Sequence, residues 1–314
     1  MAHPALSQPT STADSGRARP SRDFVNPTWQ RRLFILPAVL ITLAIVIFPT
    51  IFGIYVSFTD WQRTDQSGRV FNGLDNFRQL WHDDAFWNAL QNNFVFVLIG
   101  VPAQYIIALG LALLLNQDIR GRRFFRVIFL LPLMMSPIAA GYMVGRLLFD
   151  ARIGPVVDVL DRFGIQYSFF ETGPRAVALL MMVNAWVWIP FVLVMLLAGL
   201  QAMPTEVFEA ARIDGASRLQ TFRDMTFPLL LPVSLTAVLL RVIFEFKIVD
   251  IIQVVTGGGP GSATETVTYY VYKEGYLGGN IGYATAMAQV FLVIIILFVT
   301  VILVTVGRKI RDVT

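Results

Sequence analysis

The sequence predicts an all-α, polytopic membrane protein with six transmembrane helices. Lys, Arg, Asp and Glu make up only 15% of the 314 residues, against roughly 25% in an ordinary soluble domain. Apolar residues make up 55%, and the mean hydropathy is +0.62. Six apolar runs reach the length of about 20 residues that a helix needs to cross a bilayer. Such a chain has more apolar surface than a soluble fold can bury, so a bilayer is its solvent.

The predicted spans follow one another with polar connections between them. They cover residues 33–58, 94–115, 127–149, 176–200, 229–252 and 284–306. Residues 1–28 are rich in Ser, Pro, Thr and Arg, and we expect them to form a disordered tail. Residues 29–314 are then the transmembrane domain. The first span is longer than the apolar core of a signal peptide, which has roughly 7–15 residues, so we expect it in the mature protein.

The basic residues are divided unevenly between the two ends of the predicted spans. Fifteen Lys and Arg residues fall in the termini and in the second and fourth connections, and seven fall in the other three connections. The positive-inside rule therefore places both termini in the cytoplasm. This asymmetry also accounts for the net charge of +4 without a nucleic-acid partner.

Several kinds of chemistry are excluded by composition. The chain has no Cys and only two His, so we expect no disulfide, no thiolate nucleophile and no metal site. The motif G-x4-G-K-[ST] occurs nowhere, so any ATP must be bound by another chain. The glycine-rich residues 256–261 are followed by no Lys-Ser or Lys-Thr, and we interpret them as an outer turn or a re-entrant segment.

The fourth connection, residues 201–228, is too long for a simple turn and too polar to enter the bilayer. We predict a first helix over Thr205–Ile213, because Glu206 and Glu209 lie in its first turns, where the positive end of the helix dipole favours acidic residues. Asp214-Gly215 then supplies a sharp turn.

A second short helix is predicted after this turn. Ser217 is a good cap for a helix over residues 218–226. Phe227-Pro228 is expected to stop that helix before the fifth span.

This connection resembles the EAA loop of ABC importer permeases, E-A-A-x3-G-x9-I-x-L-P. Glu209, Ala210, Ala211, Gly215 and Pro228 match the pattern. The Ile position is taken by Met225 and the Leu position by Phe227.

Other stretches are similar to the MalF-type branch of binding-protein-dependent carbohydrate permeases. They are residues 36–37, 57–61, 73–77 and 256–260. The resemblance extends from residue 31 to residue 308.

The resemblance implies a transport subunit of a bacterial inner-membrane importer that is not itself an enzyme. The residues that would couple it to a separate ATPase are Glu209, Ala210, Ala211, Asp214 and Gly215. Its partners would be a second permease in a heterodimer, two ATPase subunits and an external solute-binding protein. ATP and Mg would be bound by the ATPase, and this chain would bind no cofactor.

The fifth predicted span carries four ionisable residues, which are costly in a membrane unless they pair or line a wet path. Arg241 and Glu245 are four residues apart and form either an internal ion pair or part of a path. Lys247 and Asp250 fall on the opposite side of a helix that continues to residue 252. Glu245, Lys247 and Asp250 are therefore candidates for lining the path of a solute, with a purely structural role as the alternative.

The fourth predicted span carries Asn184, Trp188 and Phe191 on one face. Aromatic rings stack on sugars and amides bind hydroxyl groups, so this face is a candidate sugar path. Ordinary helix packing is the alternative. Gln104 and Gln289 are further polar candidates in the second and sixth spans.

Three other functions remain open at this point. An ABC permease for glycerol phosphate or a polyol would use Lys247 or Arg241 to bind the solute. An ion-coupled secondary transporter would use Glu245 or Asp250 and need no ATPase. A membrane scaffold would leave the charged residues of the fifth span without a role.

Overall fold

The computed structural model of this chain describes residues 28–64 and 69–311, and the side chains of residues 35–64 and 69–307. The predicted disordered tail therefore lies outside the described residues, apart from residue 28. The regular structure in the described ranges is helical, which confirms the all-α prediction. The chain divides into two compact units, residues 1–50 and 51–314. Helical structure begins at Thr28, and its apolar part from residue 35 to residue 56 is numbered α1 below. The side chains of residues 35–50, in the first unit, are exposed.

We number the helices in chain order. They are α1 (Ile35–Val56), α2 (Asp75–Trp81), α3 (Asp84–Asn116), α4 (Arg122–Met134), α5 (Pro137–Leu147), α6 (Pro155–Arg162), α7 (Gly173–Gln201), α8 (Thr205–Ile213), α9 (Arg218–Phe246), α10 (Asp250–Val255), α11 (Val267–Tyr272) and α12 (Ile281–Arg311).

Five helices in the described ranges are long and apolar enough to span a membrane: α1, α3, α7, α9 and α12. The predicted third span, residues 127–149, is wrong as a single helix, because α4 and α5 are bent by 101° at the break between them. Ser136 has an extended backbone, with φ −62° and ψ 136°, directly before Pro137. Proline disfavours helical geometry in the residue before it, which explains the break. With this bent pair taken as one broken span, the described residues contain six candidate spans by length and composition.

The second span is longer than predicted, because α3 begins ten residues earlier, at Asp84. Asp83 caps it, accepting hydrogen bonds from the backbone N–H groups of Ala85 at 2.9 Å and Phe86 at 3.3 Å. These bonds satisfy donors that a helix start otherwise leaves free. The other carboxylate oxygen of Asp83 accepts bonds from the hydroxyl groups of Tyr270 and Tyr283, so one side chain ties α3 to α11 and α12.

The fifth span differs from the prediction at its start. Pro228 does not stop the helix, and α9 is continuous from Arg218. The turn before the proline is wide, with the Phe227 N–H donating to the Phe222 carbonyl five residues back. A wide turn of this kind accommodates a proline, which has no N–H to donate.

The fifth span also ends earlier than predicted, at Phe246, and α10 is a separate helix. The carbonyl of Phe246 accepts hydrogen bonds from Asn93 Nδ2 and Thr268 Oγ1, each at 3.1 Å. The carbonyl of Ile248 accepts a bond of 2.9 Å from Thr266 Oγ1. Side chains from distant parts of the chain thus satisfy the acceptors that the break leaves free. The prediction that Lys247 and Asp250 share one helix with Arg241 is therefore wrong.

Helices α3, α7 and α9 form the centre of the second unit. Ala108 and Ala112 of α3 are fully buried in a cluster with Leu193 and Leu196 of α7 and Leu230 of α9. Small residues let neighbouring membrane helices come close together. This packing brings polar side chains of the three helices into contact further along the bundle.

Candidate functional site

The connection between α7 and α9 forms a helical hairpin, and its first helix has the predicted bounds, Thr205–Ile213. Gly215 adopts φ +76°, a left-handed conformation that glycine adopts without strain. The Ala216 N–H then donates to the Ala211 carbonyl at 2.9 Å, which closes the end of α8.

The second helix of the hairpin begins with the predicted cap. The Ser217 hydroxyl accepts from the Gln220 N–H, and the Ser217 N–H donates to Gln220 Oε1 at 2.8 Å. Such a reciprocal capping box fixes the direction in which the chain enters α9.

The predicted coupling residues do not all face the same way. Glu209, Ala210, Asp214 and Gly215 are exposed, whereas Ala211 is buried. Two apolar residues of the hairpin that sequence reasoning missed are also exposed, Ile213 at 86% and Leu219 at 75%. The signal that would have found them is an apolar side chain between polar or charged neighbours in the polar connection. Adjacent exposed apolar and acidic groups are typical of a protein-docking surface.

A buried polar network joins the three central helices. Arg241 and Glu245 of α9 form the ion pair that their spacing allows, with side chains 1% and 0% exposed. Arg241 Nε donates to Gln104 Oε1 of α3 at 2.5 Å. Asn184 Nδ2 of α7 donates to Glu245 Oε1 at 2.6 Å. Both charges are therefore paired and hydrogen-bonded, which is the condition for burying them.

Aromatic side chains cover one side of this network. The Trp188 ring stacks on Phe244 with a centroid distance of 5.3 Å and an interplanar angle of 24°. The Arg241 guanidinium carbon lies 5.1 Å from the centroid of the Trp188 ring. Phe191 packs edge-on against Phe244 at 5.8 Å. Trp188 is therefore engaged with α9 by both stacking and cation–π contact.

A cavity of about 170 Å³ lies beside the network at the break after α9. Four of the predicted path residues line it: Asn184, Trp188, Lys247 and Asp250. Lys247 and Asp250 are exposed, and among the described residues neither side chain has an ion-pair or hydrogen-bond partner. The cavity thus combines a cation, a carboxylate, an amide and an indole in a space suited to a small polar solute.

The remaining predicted path residues lie elsewhere. Glu245 is behind Asn184, within the buried network. Phe191 does not line the cavity, but its ring packs against Phe244 and Trp188, which do. Gln289 of α12 lies beside Gly53, where an added Cβ would be 3.0 Å from its Nε2. Over the described residues, no group of three or more His, Asp or Glu side chains is arranged to hold a metal ion.

The described residues thus contain five helices that could span a membrane and a bent helix pair that could form a sixth span. A helical hairpin connects α7 to α9. Residues 86–312 match the family model for the inner membrane component of binding-protein-dependent transport systems. The chain belongs to this family.

Characterised relatives align over most of their length. The trehalose/maltose transport system permease MalF of Thermococcus litoralis is 32% identical, covering 89% of this chain and 94% of the relative. The sn-glycerol-3-phosphate transport system permease UgpA of Agrobacterium fabrum is also 32% identical, covering 84% and 90%. A crystal structure of a bacterial alginate ABC transporter in complex with a pentasaccharide-bound periplasmic protein contains a chain of the same fold, with TM-score 0.76, 20% identity and coverage of 90% and 96%.

Family membership defines the class of function. The chain is a permease subunit of an ABC importer in the inner membrane, and a separate subunit carries the ATPase activity. It works with an ATPase and a substrate-binding protein. The ion-coupled transporter and the scaffold, considered from the sequence, are not supported.

Proposed function

We propose that this permease imports a sugar or a short oligosaccharide. The observation that carries the proposal is the cavity that Asn184, Trp188, Lys247 and Asp250 line. Its amide, ammonium and carboxylate groups provide both donors and acceptors for hydroxyl groups. The MalF relative, a trehalose/maltose transport system permease, supports the same class of solute.

The exposed hairpin couples the permease to the ATPase in this proposal. Glu209, Ala210, Asp214 and Gly215 contact the ATPase directly, and Ala211 supports the surface from within. Closure of an ATPase dimer, which holds ATP and Mg, pulls the hairpin. Because α8 is joined to α7 and α9, the pull changes the arrangement of the central helices. The hairpin and both termini lie in the cytoplasm, as the basic residues favour.

The assembly in this proposal contains a second, related permease and two ATPase subunits. The transmembrane domain of this chain is residues 29–314. The solute passes the cavity beside α9, and its path involves Asn184, Trp188, Phe191, Lys247, Asp250 and Gln289, with Glu245 holding Asn184 in place. ATP-driven closure opens the bundle outward to receive the solute from the binding protein, and hydrolysis returns it to the inward state.

A second candidate solute is glycerol phosphate or a polyol. It is favoured by one observation, the unpaired Lys247 ammonium at the cavity. A phosphate would form a charge-assisted hydrogen bond there. The UgpA relative, named for sn-glycerol-3-phosphate, is consistent with this candidate.

Solute-stimulated ATP hydrolysis by the purified importer with its binding protein distinguishes the two candidates. For a neutral sugar, we expect stimulation by maltose-like disaccharides that Lys247→Gln reduces only severalfold. For a phosphate ester, we expect stimulation by glycerol phosphate that Lys247→Gln abolishes. Stimulation by neither class would contradict the proposal.

A further inference from the structure

A second, larger cavity lies beneath the inner face of the hairpin and has a strongly basic lining. Its volume is about 970 Å³, and it is enclosed by the last turn of α3, the end of α7, α8 and the start of α9. Three of its lining residues are Arg122, Arg212 and Arg218, and none is Asp or Glu. Arg122 pairs with the exposed Asp118 at 3.4 Å, whereas Arg212 and Arg218 have no ion-pair partner among the described residues. The cavity therefore favours an anionic occupant.

Apolar residues also line this cavity, and we call them its apolar wall. They are Leu113, Leu200, Met203, Phe208 and Phe222. An amphiphile with an anionic head and a hydrocarbon tail matches both the basic and the apolar lining, whereas a small soluble anion would leave the apolar wall uncovered. The lining thus points to an amphiphilic ligand.

The cavity also lies at the depth of lipid headgroups. The apolar helices α3 and α7 end at Asn116 and Gln201, and both residues line it. Headgroup phosphates lie just beyond the apolar part of a transmembrane helix.

Helix α4 extends the basic lining beyond the cavity, from Arg122 to Arg126. With its amide oxygen directed at α4, Gln201 accepts hydrogen bonds from Arg126 Nη2 at 2.6 Å and Arg122 Nη2 at 3.1 Å. The same helix exposes Phe124 and Phe125. A helix that is basic on one side and exposes aromatic residues on the other is typical of a membrane interface.

We propose that this cavity is a binding site for an anionic phospholipid, with the phosphate between Arg122, Arg212 and Arg218 and the acyl chains along the apolar wall. Basic pockets between membrane helices hold anionic headgroups in this manner. Because the hairpin forms one wall, the bound lipid would brace the hairpin against the bundle. The proposal does not depend on which solute the importer carries.

Native mass spectrometry of the purified importer complex tests the site. We expect the wild-type complex to retain added phosphatidylglycerol and to release phosphatidylcholine under the same activation. Each arginine near a membrane surface contributes roughly fivefold in affinity, so Arg212→Gln with Arg218→Gln should reduce phosphatidylglycerol retention by more than tenfold. The matched control is Arg223→Gln. Arg223 lies on α9, as Arg218 does, but it is exposed, pairs with Asp224 and does not line the cavity. We expect this control to bind lipid as the wild type does.

Two further measurements keep the test decisive. If the double variant does not assemble, Arg122→Gln should still reduce retention by about fivefold. Millimolar inorganic phosphate should leave the bound lipid in place. Equal retention of the two lipids, unchanged retention in the variants, or displacement by phosphate would each overturn the proposal.

Discussion

Asn184 Nδ2 donates a hydrogen bond of 2.6 Å to Glu245 Oε1, and this bond joins α7 to α9 at the centre of the bundle. Asn184 also lines the 170 Å³ cavity, whereas Glu245 is fully buried and pairs with Arg241. The charged network and the candidate solute path thus share one residue. A change in the packing of α9 against α7 would therefore alter the cavity directly.

Replacing one member of the buried ion pair should destabilise the protein more than replacing both members. Glu245→Leu leaves the Arg241 charge unpaired, and we expect the free energy of unfolding to fall by about 3–5 kcal/mol. The double variant Arg241→Met with Glu245→Leu should recover much of this loss, because no buried charge remains. Thermal unfolding of the purified complex measures both effects. Equal destabilisation by the single and double variants would show that the pair does not bury a costly charge.

Reversing the charge of the hairpin should uncouple transport. Glu209→Lys should abolish uptake without preventing membrane insertion, because Glu209 is exposed on the proposed docking surface. The matched control is Asp224→Lys, a charge reversal at an exposed carboxylate on α9 that is not one of the predicted coupling residues and does not line the basic cavity. Uptake assays in membrane vesicles measure the outcome. Normal uptake in the Glu209 variant would contradict the docking role.

Removing the indole at the cavity should weaken transport while the complex remains assembled. Trp188→Ala opens the cavity and removes the contact with Arg241, so we expect a severalfold change in the half-saturating solute concentration for uptake. Trp186→Ala is the control, since Trp186 is partly exposed and does not line the cavity. Unchanged transport kinetics in the Trp188 variant would mean that the ring serves packing alone.

Adding a methyl group at the hairpin turn should strain it. Gly215→Ala places a side chain at φ +76°, with an expected cost of about 1–2 kcal/mol. We expect faster proteolysis of the hairpin and reduced stimulation of ATP hydrolysis. Gly110→Ala is the control, because an added Cβ there meets nothing within 4 Å and the position lies within a helix. Equal rates of proteolysis in the two variants would contradict the expected backbone strain at residue 215.

Local patterns predicted much of this fold. The bounds of α8, the Ser217 cap and the turn at Gly215 followed from short-range chemistry, and so did the pairing of Arg241 with Glu245 four residues away. The end of α9 did not, because Asn93 and Thr266 stabilise it from distant parts of the chain. The partners of the ion pair were equally inaccessible, since Gln104 is 137 residues from Arg241 and Asn184 is 61 residues from Glu245. Only tertiary packing brings these groups together.

The bend between α4 and α5 shows a different limit. Hydropathy detects an apolar segment of spanning length but not its direction, so residues 127–149 resembled a single straight span. Ser136-Pro137 was visible in the sequence and is sufficient reason for a break. Its angle of 101° depends on packing against other helices, including the close approach of Gly145 to Val255 of α10.

The most direct test of the central claim is the rate of ATP hydrolysis by the importer reconstituted in lipid, with and without binding protein and sugar. We expect this chain to copurify with an ATPase and a second permease, and sugar to stimulate hydrolysis in the wild type but not in Glu209→Lys. A chain that purifies alone and moves solute in response to an ion gradient would contradict the account.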